Sequence, residues 1–178
     1  MRGKSHRLLG QYLVRQYMPD APKRYVRAFL IGCIEPDRNP MTYLKGSVHF
    51  QWLRGHNYEN ARRFICRLAQ RLERKETLSL FDYYTLGKLI HYTTDAFTYA
   101  HNQDFPKDLK EHREYERELQ EYFVRYIQDH PILCLRTSGD AVNTIQENHR
   151  RYMCRPGSIL RDSRYAFTVC CLVTAAIL

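Results

Sequence analysis

The 178-residue chain lacks any alternating apolar–polar run long enough to build a sheet, and it has no internal repeat and no low-complexity tract. These absences exclude β-sandwiches, barrels, solenoids and disordered scaffolds. None of its six cysteines, Cys33, Cys66, Cys134, Cys154, Cys170 and Cys171, forms a CxxC pair, and the last two are adjacent in an apolar run. A disulfide framework and a thiolate zinc site are thereby excluded, and buried, reduced thiols in a reducing compartment are expected. No apolar stretch reaches the ~20 residues of an ordinary membrane span. The longest, Ala166 to Leu178, reads as a core helix. After the basic Met1-Arg2-Gly3-Lys4 comes neither an apolar stretch nor a small-residue cleavage site, so no secretory leader is expected and a cytoplasmic location is.

What the chain does have is positive charge, with 28 Lys and Arg against 19 Asp and Glu and a formal net charge of +9. Such an excess favours an anionic partner: a phosphate ester, an acidic membrane surface or nucleic acid. No stretch interleaves basic and aromatic residues as a single-strand platform would, so nucleic acid is the less favoured of these. No protein partner is inferred. A hydrophobic fraction of 44% and this length suit one domain, residues 1–178, with a single core.

Helical periodicity runs through nearly all of the sequence. Leu8, Leu9, Tyr12, Leu13 and Tyr17 share a face after Ser5, a candidate N-cap. Further helices are predicted over Lys23–Ile34, Glu59–Lys75, Leu80–Ala100, Asp108–Gln128, Asp140–Tyr152 and Ser158–Leu178. Between Glu35 and Asn57 stand Pro36, Pro40, Gly46 and Gly55, a long loop of the sort that tends to carry function. The expected fold is all-α, a single-domain bundle of six or seven helices.

Two pairs of polar residues interrupt this pattern. His91 and Asp95 are four apart beside Leu89 and Ile90, so they share a partly buried helix face. Alone they read as a hydrogen-bonded core pair before they read as a metal site. His112 and Glu116 are also four apart, on the next predicted helix, and His101 ends the preceding one. A hairpin would bring these three together as the ligand set of an open zinc site. Taken singly, His112 and Glu116 read as a solvated pair among Lys110, Glu111, Arg113 and Glu114. His6, Asp37 and His49 are weaker upstream candidates. His56 reads as a neighbour of the third helix, and His130 and His149 read as surface residues.

The run from His91 to His101, His-Tyr-Thr-Thr-Asp-Ala-Phe-Thr-Tyr-Ala-His, resembles the HxxxDxxxxxH signature of the zinc-dependent phospholipase C family, which shares its fold with S1/P1-type nucleases. His112 and Glu116 match the HxxxE that follows it. Ser5-His6, Asp37 and His49-Phe50 resemble the family's first histidine, loop aspartate and loop histidine. The resemblance implies zinc as cofactor, two or three ions. Asp37, His49, His91 and Asp95 would hold one, His101, His112 and Glu116 a second, and His6 with Asp95 as a bridge a third. In secreted relatives a leading tryptophan completes the third site. Here five residues precede His6 and none is tryptophan, Trp52 being the only one, so Met1 or water would complete that site, or only two ions bind.

Function follows by the same route. The resemblance implies hydrolysis of a phospholipid phosphodiester, with Asp37 as general base. Beside the loop aspartate, choline-binding relatives carry aromatic residues where this chain has Arg38 and Gly46. Arg38 suits an anionic group instead, and Phe50, Tyr43 and Trp52 either line the pocket or pack the loop. The rival readings are an S1/P1-like nuclease or other phosphate-ester hydrolase and, less favoured, a non-catalytic helical module.

Overall fold

A computed structural model describes residues 1–39, 58–102, 105, 109–130 and 140–178. Among them lie eight α-helices and no strand: α1 (Gly3–Tyr17), α2 (Lys23–Gly32), α3 (Glu35–Arg38), α4 (Tyr58–Glu73), α5 (Leu80–Ala96), α6 (Leu109–Asp129), α7 (Ala141–Met153) and α8 (Ile159–Ile177). The expected all-α bundle is the observed fold. It has one helix more than expected because Glu35-Pro36-Asp37-Arg38 forms a single turn inside the anticipated long loop, with proline in its first turn, where a missing N–H costs nothing. His49, Phe50, Gly46, Tyr43, Trp52 and His56 lie outside the described residues.

At the centre is α5, twelve of whose seventeen residues are buried, so its neighbours surround it. Ser79 starts it with a reciprocal capping box: its hydroxyl accepts from the Asp82 amide, and the Asp82 carboxylate accepts from the Ser79 amide. Lys75 closes on the same carboxylate at 2.6 Å. Around α5 pack α1, α2, α4 and α8, with α6 and α7 against α8. The core draws Leu9, Leu13, Phe29, Ile65, Leu72, Leu86, Phe123 and Phe167 from six of these elements. As read from the sequence, α8 is a core helix, burying Ala166, Phe167, Val169, Cys170, Cys171 and Val173. No helix among the described residues is long and apolar enough to cross a membrane.

The closest approach in the bundle is between α2 and α5. A Cβ on Gly32 would meet the Tyr84 carbonyl at 2.1 Å, and one on Gly87 would meet the Phe29 carbonyl at 2.1 Å. Backbone touches backbone there, which only two facing glycines permit. Helix α2 ends at Gly32, short of the Ile34 expected, with Cys33 as its C-cap.

Other expectations need correcting. Ser5 is not an N-cap: α1 begins at Gly3, with Arg2 in the cap position, and Ser5 is buried one turn in. His149 is not on the surface but stacks on Tyr58 at 3.5 Å and faces the Asn102 side chain. His130 is half-buried against Tyr126. Of the five described cysteines, all free, Cys33, Cys170 and Cys171 are buried as expected, but Cys66 is half-buried and Cys154 exposed.

Two predictions follow from the packing and the cap. Gly87→Ala should cost about 3 kcal/mol or more, because the clashing atom is backbone carbonyl on a packed helix and cannot swing away; the midpoint of chemical unfolding measures it. Burial alone would raise the Asp82 carboxyl, but hydrogen bonds from Lys75 and Ser79 hold it down at about 2. A carboxylate held below its unfolded value stabilises the fold above pH ~4 and loses that contribution as pH falls toward ~2. Asp82→Ala should therefore destabilise by about 1–2 kcal/mol at neutral pH, and the gap between variant and parent should close across that acid window.

Candidate metal centre

Asp95 stands on the last turn of α5 with no solvent access. Its two oxygens face different groups. Oδ1 lies 2.6 Å from the Met1 amino nitrogen and 3.3 Å from His6 Nε2. Oδ2 lies 3.3 Å from His91 Nε2. Asp37, on the one-turn α3, reaches the same histidine with Oδ1 3.6 Å from His91 Nε2. The other ring nitrogen of His91 donates to the Cys33 carbonyl at 2.9 Å. That bond fixes the tautomer and turns Nε2 toward the two carboxylates. Cys33 closes α2 directly after Gly32, so the glycine contact with α5 positions the carbonyl that orients His91.

A second set adjoins the first. Helix α5 ends at Ala96 rather than at Ala100 as expected, and Tyr99–His101 form a 3₁₀ turn. Asn102 secures that break: its side-chain amide donates to the carbonyls of Ala96 and Thr98, which the helix end would leave unpaired. The turn presents His101, whose Nε2 lies 3.1 Å from Glu116 Oε1 on α6. His112, one turn earlier on α6, sits 3.6 Å from the same oxygen. The Met1 amino group joins the sets, 2.8 Å from His101 Nε2 and 3.1 Å from Glu116 Oε1, while the Met1 carbonyl faces His6 Nε2 at 3.1 Å.

These separations test whether zinc fits. A charge-assisted hydrogen bond between imidazolium and carboxylate is about 2.7–2.9 Å long. Two donors on one tetrahedral zinc, each about 2.0–2.1 Å from it, stand about 3.3 Å apart. The histidine–carboxylate pairs here run from 3.1 to 3.9 Å, longer than such a hydrogen bond and on the metal side of that comparison. Donor atoms of His6, His91 and Asp95 form one compact group and those of His101, His112 and Glu116 another. The residues fit zinc.

Imidazole binds a metal only when neutral, and the surroundings hold two of the histidines here, His6 and His101, toward that form. Burial, reinforced by the stacked ring of His91 at 3.9 Å, pushes His6 down to about 4. Burial and the Met1 ammonium lower His101. For His91 burial would do the same, but Asp95 overrides it and the net direction is upward. Asp95 would be raised by burial, yet the Met1 ammonium, His101 and His6 hold it well below the usual carboxylate range. Facing it, the Met1 ammonium is raised to about 11: burial opposes its charge, but Asp95 and Glu116 outweigh that cost.

Of the residues singled out from sequence, His6, Asp37, His91, Asp95, His101, His112 and Glu116 converge here. Arg38 is exposed beside Asp37. His49 and Phe50 lie outside the described residues. Sequence reasoning missed Asp162. Buried on α8, it accepts from the Tyr99 amide at 2.7 Å, the Tyr115 hydroxyl at 2.8 Å and the Tyr152 hydroxyl at 2.7 Å. It thereby ties the His101 turn to α6, α7 and α8. Burial lifts its carboxyl to about 6 against these hydrogen bonds. The available signal was an acid at helical spacing from Ala166 and Cys170, on the apolar face of α8.

A family model described as zinc dependent phospholipase C matches residues 5–158. Among curated proteins and among solved structures, none matches the chain.

Asp162→Ala should cost about 3 kcal/mol, since it strands the buried Tyr152 hydroxyl and the half-buried Tyr99 amide and Tyr115 hydroxyl at once. The expected result is a large fall in the unfolding midpoint, with Asp162→Asn falling less.

Proposed function

The chain belongs to the zinc-dependent phospholipase C family, and from that premise we propose that it is a single-domain phosphodiester hydrolase that cleaves phospholipids with a multinuclear zinc centre. The observation that carries the multinuclear reading is the divided carboxylate of Asp95, one oxygen toward His6 and Met1 and the other toward His91. A carboxylate divided in this way would serve two ions. We assign His91, Asp95 and Asp37, with His49, to one zinc; His101, His112 and Glu116 to a second; and His6 and Asp95 Oδ1, completed by the Met1 carbonyl or water, to a third.

When bound, zinc supplies Lewis acidity, which polarises a phosphate oxygen and makes water a stronger acid near neutral pH. The chain's own groups do the rest. Asp37 is only partly buried, whereas Asp95 has no access to solvent, so of the two carboxylates that face His91, Asp37 is the one an entering water can reach. It takes the proton from that water as general base. Cys33 O and Asp162 act at a distance, the first by fixing the His91 ring and the second by holding the turn that carries His101. Arg38, next to Asp37 and exposed, holds the anionic part of the substrate.

Metal content and turnover test the proposal together. Protein loaded with zinc should carry two to three ions per chain by plasma mass spectrometry, and His6→Ala should carry one fewer if the third site forms. It should release the phosphorylated headgroup from phospholipid, lose that activity with chelator and regain it with zinc. Asp37→Asn should lower kcat by about 100-fold or more, as loss of a general base does, while retaining at least two ions. Less than one zinc per chain after loading, or cleavage of single-stranded DNA in place of lipid, would sink the phospholipase reading.

A further inference from the structure

Beside the metal centre, α1, α2 and α3 enclose a groove of about 460 Å³. Leu30, Ile31 and Ile34 form its floor, and Arg7, Arg27 and Arg38 stand along it. Ile31 is 58% exposed, a large aliphatic side chain in water on a helix whose other face is core. All three arginines are exposed. Glu35, the acid of the lining, is already matched by Lys88 at 3.1 Å and by Asn39 at 2.7 Å. The flanking helices add to the imbalance, for α1 carries Lys4, Arg7 and Arg15 and α2 carries Lys23, Arg24 and Arg27, with no acid in either. In the chain, Arg7 follows His6 and Arg38 follows Asp37, so the helices that line the groove also carry donors of the centre.

An occupant must therefore bring negative charge for three guanidinium groups and apolar surface for Ile31, within one groove width. Nucleic acid brings the charge but needs aromatic rings to stack on, and none of the described lining residues is aromatic. A protein helix brings apolar surface without a fixed array of anions. An anionic phospholipid surface brings both, phosphates at the level of the headgroups and acyl chains just below them. We propose that this groove seats the protein on anionic phospholipid membranes, with Arg7, Arg27 and Arg38 on the phosphates and Ile31 entering the acyl boundary. The inference rests on the phospholipid reading of the centre and adds to it where the substrate surface lies and what charge it carries.

The test is sedimentation of the full, zinc-loaded chain with vesicles of phosphatidylcholine alone or mixed with phosphatidylglycerol. Binding is expected only with phosphatidylglycerol present and should weaken with salt. Arg27→Glu with Ile31→Asp should weaken it at least about tenfold, since a single basic residue near an anionic surface is worth ~1 kcal/mol and reversal doubles that. Arg125→Glu on α6, which reverses one charge away from the groove as Arg27→Glu does within it, should leave binding as it was. Equal binding to both vesicles, a double variant that binds like the parent, or an Arg125→Glu loss as large as that of the double variant would overturn the proposal. So would a double variant that loses single-stranded oligonucleotide binding while keeping vesicle binding. Vesicle binding needs no turnover. A chain that binds as expected but cleaves no phospholipid keeps the groove and removes the hydrolase reading instead.

Discussion

A carboxylate sealed from solvent in a helical bundle is the constraint from which the rest of this structure follows. Taking an isolated ion out of water costs several kcal/mol even after relaxation, so Asp95 needs compensating charge on every side it can reach. It draws the Met1 ammonium and His6 from α1, His91 from its own helix, and His101 from the turn beyond. Glu116 on α6 closes the circle through the same ammonium and the same histidine. The polar centre thus joins three segments distant in sequence where an apolar core would only have packed them. It also leaves the centre with more imidazole nitrogens than protons that can occupy them, which is the condition a divalent cation meets best.

Around that centre the supporting contacts are mostly backbone. The Cys33 carbonyl turns His91, the Tyr99 amide anchors the His101 turn on Asp162, and the Asn102 side chain ends α5 where His101 has to leave it. Main-chain atoms have little freedom once their helices are packed, so ligand directions are inherited from helix placement rather than from rotamer choice. This arrangement suits a site whose donors must be oriented before anything binds.

That division explains what was legible in the sequence. His91 and Asp95, like His112 and Glu116, are four residues apart within strong helical patterns, and period alone places each pair on one face. Their joining into one centre was suggested by a hairpin between the two helices and made specific by the family pattern, because no local rule says which two helix faces meet. The early end of α5 was hidden, since Thr94 and Thr98 continue the helical pattern and only the Asn102 side chain, reaching back four and six residues, decides against it. Asp162 stayed invisible because its partners come from three other elements. His149 was misread for a similar reason. Arg150 and Arg151 mark a solvated face, but a helix turns by about 100° per residue, and that rotation carries His149 inward onto Tyr58.

The two glycines where α2 meets α5 give the site an all-or-none character. Facing ridges of side chains can slide past one another in small steps, trading one imperfect fit for the next. Two bare backbones have a single notch. The neighbouring seating on a helix is a whole turn away, about 5.4 Å, far more than the 2.9 Å bond from His91 to the Cys33 carbonyl can stretch. Variation elsewhere in the bundle would then leave the centre either assembled as a unit or not assembled, with few half-built forms between. Intermediate metal affinities are accordingly not what this architecture would offer to selection. Gradual change is left to the surface of α1 and α2, where charge can be added or removed one residue at a time.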